Sequence, residues 1–186
     1  MQKTVSLYPA KGLPGQEVNV HTAVYTPFNY ISDGTVAAGS FAFAGTNSDD
    51  GEGVVYPLAS GKGTGAVIGL VERTFTGSFY PTEDNPDGTL TYRKGHEVTI
   101  AIRGDYYVAA TGAATVGQSV LCNPTDGAVT YGTAGSANDT GWVVMTEAKN
   151  SGDIIIISNR GVSVASAAAG RMATVDTAKD DEDQAG

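Results

Sequence analysis

Asp33-Gly34, Asp50-Gly51, Asp87-Gly88, Asp126-Gly127 and Ser151-Gly152 break this chain into short runs, and no helical periodicity lies between them. Such dipeptides turn a chain back on itself, because Gly takes the backbone angles that other residues avoid and Asp caps its own turn. The runs between the turns have the texture of strands. Val18, Val20, Thr22 and Val24 alternate with Asn19, His21 and Ala23, and Val98, Ile100 and Ile102 alternate with Thr99, Ala101 and Arg103. That period of two marks a half-buried strand. Further strands are expected at 36–44, 54–58, 66–73, 89–93, 106–110, 119–122, 128–131, 142–147 and 153–158. The reading is all-β, a sandwich or barrel.

Ile154-Ile155-Ile156-Ile157 is the longest aliphatic run. Branched side chains on both faces predict a strand covered on both sides, within a two-layer core or beneath a neighbouring subunit. The only stretch with fair helix propensity is 164–174, which Gly170 interrupts. With 186 residues the chain makes one domain of ordinary size. Residues 1–17 contain Pro9, Gly12, Pro14 and Gly15 and are expected to form an extended arm. Residues 18–162 are expected to form the β domain, and residues 163–186 a C-terminal segment with a disordered acidic tail. From Asp176 onward that tail carries Asp176, Asp180, Asp181, Glu182 and Asp183 against Lys179 alone.

Composition excludes several functions. The net charge is −9, from 20 acids and 11 Lys and Arg, which argues against nucleic acid, since phosphate binding needs a basic surface. A single Cys gives no disulfide framework and no Cys-based metal cluster, and two His residues exclude most His-rich sites. No apolar stretch near the start forms a signal-peptide core and none approaches the ~20 residues of a membrane helix. The expectation is a protein made in the cytoplasm, with no membrane partner.

Motifs that carry chemistry are missing in the same way. Gly61-Lys62-Gly63-Thr64-Gly65 resembles a phosphate loop, but Gly63 stands where Ser or Thr is needed, Tyr56 replaces the early Gly, and a strand follows. Glu83, Asn85, Asp87 and Gly88 have the opening spacing of a calcium loop, yet Lys94 occupies the bidentate Glu position. No Gly-x-Ser-x-Gly elbow surrounds Ser40 or Ser136. Cys122 reads as a small buried hydrophobe. His96 lies in a loop just before Glu97, and as adjacent residues entering a strand the two point to opposite faces and form no acid–base dyad. No catalytic, cofactor-binding or metal-ligating residue is assigned, and the tyrosines read mainly as sheet residues.

The order of the segments carries more information than any one of them. A Gly65–Arg73 strand is followed by the Tyr92–Val108 hairpin, the Ala113–Val120 strand, the Asn123-Pro124-Thr125-Asp126-Gly127 turn, Trp142–Thr146 and Ser151–Ile157. This succession resembles the structural cement, or head decoration, proteins of tailed bacteriophages. In these a G-x-x-V/I-G strand precedes a G-x-x-V-x-I-x-x-x-G-x-x-Y/W-V hairpin. An A-V-x-x-G-x-x-V strand, a D/N-P-x-x-G turn and a G-D-x-V-x-V strand follow. The likeness spans about residues 33–158. It implies a small β-sandwich or jelly-roll-like barrel without enzymatic activity or cofactor, on the outer surface of the virion capsid. Its implied partners are the phage major capsid protein and further copies of itself, a trimer being favoured over a dimer. Leu7, Tyr8, Leu13 and Pro14 of the arm are the expected interface residues, the alternative being an arm folded over its own domain. The alternative is a carbohydrate-binding or adhesin-like module of a head or tail fibre, stacking sugars on Tyr80 or Tyr131. A small hydrolase with a paired-carboxylate site is a third reading, and it predicts neighbouring acids with a raised pKa in a cleft.

Overall fold

The computed structural model describes residues 12–19, 22–49, 55–74, 90–136 and 138–160. Among these the regular structure is all strand. In chain order the strands are β1 (Val24–Tyr25), β2 (Tyr30–Ser32), β3 (Phe41–Ala44), β4 (Ser48–Asp49), β5 (Val55–Tyr56), β6 (Leu58–Ser60) and β7 (Val67–Val71). They continue as β8 (Glu97–Val98), β9 (Ile100–Arg103), β10 (Asp105–Ala109), β11 (Ser119–Cys122), β12 (Val129–Gly132), β13 (Asp139–Val144) and β14 (Ile154–Ser158). Two sheets make the body, with orders β1-β9-β7-β3-β6-β2-β8 and β10-β14-β13-β11-β12, and β4-β5 is a separate hairpin.

The first sheet closes on itself. β8 and β9 are one extended run with only Thr99 between them, so the two ends of the sheet meet along the chain. Val24 to Ser32 runs antiparallel to this strand, pairing Val24 with Arg103 and Ile31 with Glu97. On its other side the run pairs with β7, and β3 and β6 complete the ring through the parallel β2–β6 contact. The result is a small barrel whose inside holds Val36, Ala42, Ala59, Val71, Tyr92, Val98 and Ile100. Alternation along each strand explains why both faces are apolar. Ala42 points into the barrel while Phe41 and Phe43 point out, and likewise Val71 and Ile100 face inward against Leu70 and Ala101.

Those outward residues are covered by the second sheet, which supplies Tyr106, Val108, Val120, Cys122, Val129, Trp142, Val144, Ile155 and Ile157. Trp142 bridges the two layers. Its ring meets Phe41 edge-on at 6.1 Å and Tyr106 at 6.0 Å, a geometry worth about 0.5–1.5 kcal/mol per pair beyond area burial. The Asn123–Gly127 turn joins β11 to β12 and staples the layers together. Asn123 Oδ1 accepts from the Thr125 amide, Gly127 donates to Asn123 O, and the Gly127 carbonyl then accepts from the Phe41 amide of the barrel at 2.8 Å.

Strand content agrees with the sequence reading, as do two packed layers, and three local differences have physical causes. The alternating 18–24 run is two pieces, because Val18 pairs with Asp105 of the second sheet while Val24 pairs with Arg103 of the first. Residues 90–93 contribute a single bridge, Ala37 to Thr91, and Tyr92 instead plugs the barrel, its hydroxyl donating to the Glu72 carbonyl at 2.7 Å. β14 is buried on one face only: Ile155 and Ile157 are fully enclosed, and Ile154 and Ile156 are half-buried on the other. The 164–174 helix option, the acidic tail and the 83–88 acidic turn lie outside the described residues.

Candidate docking surface

Of the expected interface residues, Leu13 and Pro14 are placed by a tight turn. Leu13-Pro14-Gly15-Gln16 has Pro and then Gly at its centre, Gly15 has φ 81°, and the Gln16 amide donates to Leu13 O at 3.0 Å. Pro followed by a positive-φ Gly is the signature of a type II turn. After it the chain lies along β10: Gly15 donates to Tyr107 O, Tyr107 to Gln16 O and Val18 to Asp105 O. Arg73 donates to Gly15 O at 2.8 Å, tying the same segment to the barrel. From Leu13 onward, therefore, the expected arm is clasped to its own domain. Pro14 packs beside Gly39 and lines a cleft of about 320 Å³ between the layers, whereas Leu13 is 53% exposed. Leu7 and Tyr8 lie outside the described residues.

Glu17 secures the end of this segment. Its Oε1 accepts from the Thr22 and Ala23 amides and from the Thr22 hydroxyl. Nearby, Tyr25 Oη donates to Glu72 Oε1 at 3.1 Å. Burial raises the Glu72 pKa above its ordinary value and the Glu17 charge adds to it, against the opposing hydrogen bond from Tyr25. Glu72 thus has a raised pKa with a second acid acting on it, one part only of what the hydrolase reading predicts. Both, however, are spent on holding chain segments together.

Exposed apolar side chains gather around β1, where the alternation of Val24 and Ile102 predicts a buried face. Val24 is 47% exposed, Phe28 51% and Ile102 41%, and Phe28 leans on Tyr30 with ring centroids 5.2 Å apart. Val24 and Ile102 alternate like core residues, and only the place of β1 beyond the closed part of the barrel puts them in solvent. The one sequence signal is Thr26-Pro27-Phe28-Asn29, where Pro denies ladder pairing next to an aromatic residue. An open strand edge with apolar neighbours is a surface suited to association.

Around the corner lies a groove of about 590 Å³ lined by Val18, Arg103, Asp105, Met145, Ile156 and Arg160. Arg160 Nη1 donates to Asp105 Oδ2 at 2.8 Å. Partial burial works to raise the Asp105 pKa, but hydrogen bonds from Ser158 and Arg160 outweigh it and hold the carboxyl below the usual range.

The remaining sequence candidates fall in ordinary places. Residues 61–65 form a loop before β7, with Gly61 donating to Thr35 Oγ1. Cys122 is buried in the core and burial pushes its thiol up to about 12. Tyr131 is partly buried against the core with its hydroxyl enclosed, and Tyr80 lies outside the described residues. Among the described residues no group of three His, Cys, Asp or Glu side chains converges on a metal position.

The chain is thus an all-β protein, a barrel fused to a sheet with an open apolar edge. The chain matches, over residues 1–160, the family described as "Structural cement protein (E217 gp24/Pam3 gp6)", and it belongs to that family. It is a phage capsid-associated structural protein. A solved structure titled "The capsid of Myoviridae Phage XM1" contains a chain of similar fold, with a TM-score of 0.55 and 13% identity, covering 86% of this chain and 96% of that one. A search of the curated proteins returns no match.

Proposed function

We propose that this protein binds the outer surface of a phage head and reinforces the lattice of its major capsid protein, working as a homo-oligomer, with a trimer favoured. The observation that carries the reading is membership of the cement-protein family over residues 1–160. The exposed edge of Val24, Tyr25, Phe28 and Ile102 supports it by supplying an apolar face of the kind that interface cores use. Leu13 and Pro14 belong to the same proposal, with Leu7 and Tyr8 completing the arm contact. Symmetric copies repeat these faces, and each copy that touches several shell subunits gains from their linkage. The proposed division of the chain is a lead segment through residue 17, a β domain to 162 and a C-terminal segment beyond it.

The test mixes the purified protein with undecorated, expanded heads, pellets them and counts bound copies. Saturation at a symmetry-related number, with heads that resist heating better, is the expected result. Absence of binding to any matching head overturns the proposal, and binding on a glycan array would then favour the carbohydrate-binding reading.

A further inference from the structure

The groove beside Arg103 and Arg160 has a charge opposite to that of the molecule. The chain as a whole carries −9, yet two guanidiniums meet here against one carboxylate. That carboxylate is already engaged, because Asp105 is bound by Arg160 in an ion pair of 2.8 Å. Arg103 is exposed and spends one N–H on the Arg160 carbonyl at 3.3 Å, so its charge is met by no acid among the described residues. Arg160 stays 47% exposed. A planar guanidinium fork is the best side chain for receiving a carboxylate through paired hydrogen bonds.

The chain beyond Arg160 carries such carboxylates. Residues 161–175 are mainly Gly, Ala, Ser and Val with Arg171 the one charge, and Asp180, Asp181, Glu182 and Asp183 come next after Asp176 and Lys179. This segment starts at the groove wall itself, since Arg160 is part of the lining. The 19 residues from 161 to 179 are long enough for the acids beyond them to return to the segment's own origin, and such tethering sets an effective concentration on the order of millimolar, so weak single contacts suffice.

We propose that the groove is the docking site of this chain's own acidic C-terminal segment, with the carboxylates of Asp180–Asp183 on Arg103 and on the free side of Arg160. The contact is intramolecular and electrostatic. It neutralises the basic concavity on this side of the second sheet, and it is independent of the capsid-binding proposal.

Amide resonances of the full chain test it. At about 10 mM salt, where the Debye length is ~30 Å, the resonances of Asp180–Asp183 should sit away from random-coil positions, and those of Arg103 and Ile156 should report the contact. Neutralising the tail (Asp180→Asn, Asp181→Asn, Glu182→Gln, Asp183→Asn) should shift the groove resonances, and about 1 M salt should do the same to the unaltered chain. Arg103→Gln should release the tail and Arg103→Lys should retain it in part. Tail resonances at random-coil positions in low salt, or groove resonances blind to the tail substitutions, overturn the proposal. Loss of the shifts on dilution also overturns it, because it assigns the contact to neighbouring copies. The tail substitutions alter no described residue, so they stay informative if Arg103→Gln does not fold.

Discussion

Trp142 is the residue on which the two layers depend most, since its ring touches an aromatic residue of both the barrel and the second sheet. Trp142→Ala should cost about 3–5 kcal/mol in a denaturant titration, the usual range for emptying an enclosed aromatic site. Ionisable side chains give a second residue-scale prediction. Asp33, like Asp105, is held below the ordinary carboxylate range: its partial burial acts the other way, but hydrogen bonds from Thr35 and Ser60 prevail. A carboxyl with a lowered folded pKa contributes stability that is full above the unfolded value near 4 and is lost as pH falls through the folded one. Unfolding midpoints should therefore drop on acidification below about pH 4, and Asp33→Asn with Asp105→Asn should flatten that slope. Glu72 has the reverse sign. Its raised pKa means that the folded state holds the proton more tightly, so stability falls as pH rises from the unfolded value through the folded one. Glu72→Gln should raise the midpoint at pH 7 and leave it nearly unchanged at low pH, and equal effects at both would contradict this.

At the scale of elements, the Asn123–Gly127 turn shows how a local signal acquires a tertiary role. Asn-Pro-Thr-Asp-Gly reads as a turn from sequence because Asn caps it, Pro fixes one angle and Gly127 takes φ 69°. Its second task, accepting the Phe41 amide through the Gly127 carbonyl, depends on where the hairpin lands. A Cβ at Gly127 would collide with the Phe41 carbonyl, whereas one at Gly135, also at positive φ, meets nothing. Gly127→Ala should thus destabilise by clearly more than the ~1–2 kcal/mol of left-handed strain that Gly135→Ala incurs. Comparable losses would mean that the turn does not staple the layers. β11, β12 and β14 are legible in the sequence nearly to the residue, because each is a short apolar run set off by turn residues, although the one-sided burial of β14 is not. β2 and β6 are not, since their parallel pairing joins strands of three residues and rests on partners far away in the chain.

For the molecule as a whole, the open edge around β1 should separate binding from folding. Phe28→Ser and Ile102→Glu remove apolar surface from exposed positions, so thermal midpoints should move little, as surface changes usually do. Copies bound per head should fall severalfold in the pelleting assay. Full occupancy with both substitutions would place the capsid contact elsewhere, with the Leu13 turn next to be altered.

The sequence by itself determined that this chain is all-β, that it turns at Asp33-Gly34, Asp126-Gly127 and Ser151-Gly152, and to which family it belongs. Those facts reside in residue types, in local backbone angles and in the order of segments. Tertiary structure alone decided which apolar residues are core and which are surface. Phe41 and Phe43 are enclosed because a second sheet lies over them, and Val24 and Ile102, no less apolar, are exposed because β1 runs past the closure of the barrel. Burial is a property of what arrives from elsewhere in the chain, and alternation along a strand does not encode that arrival.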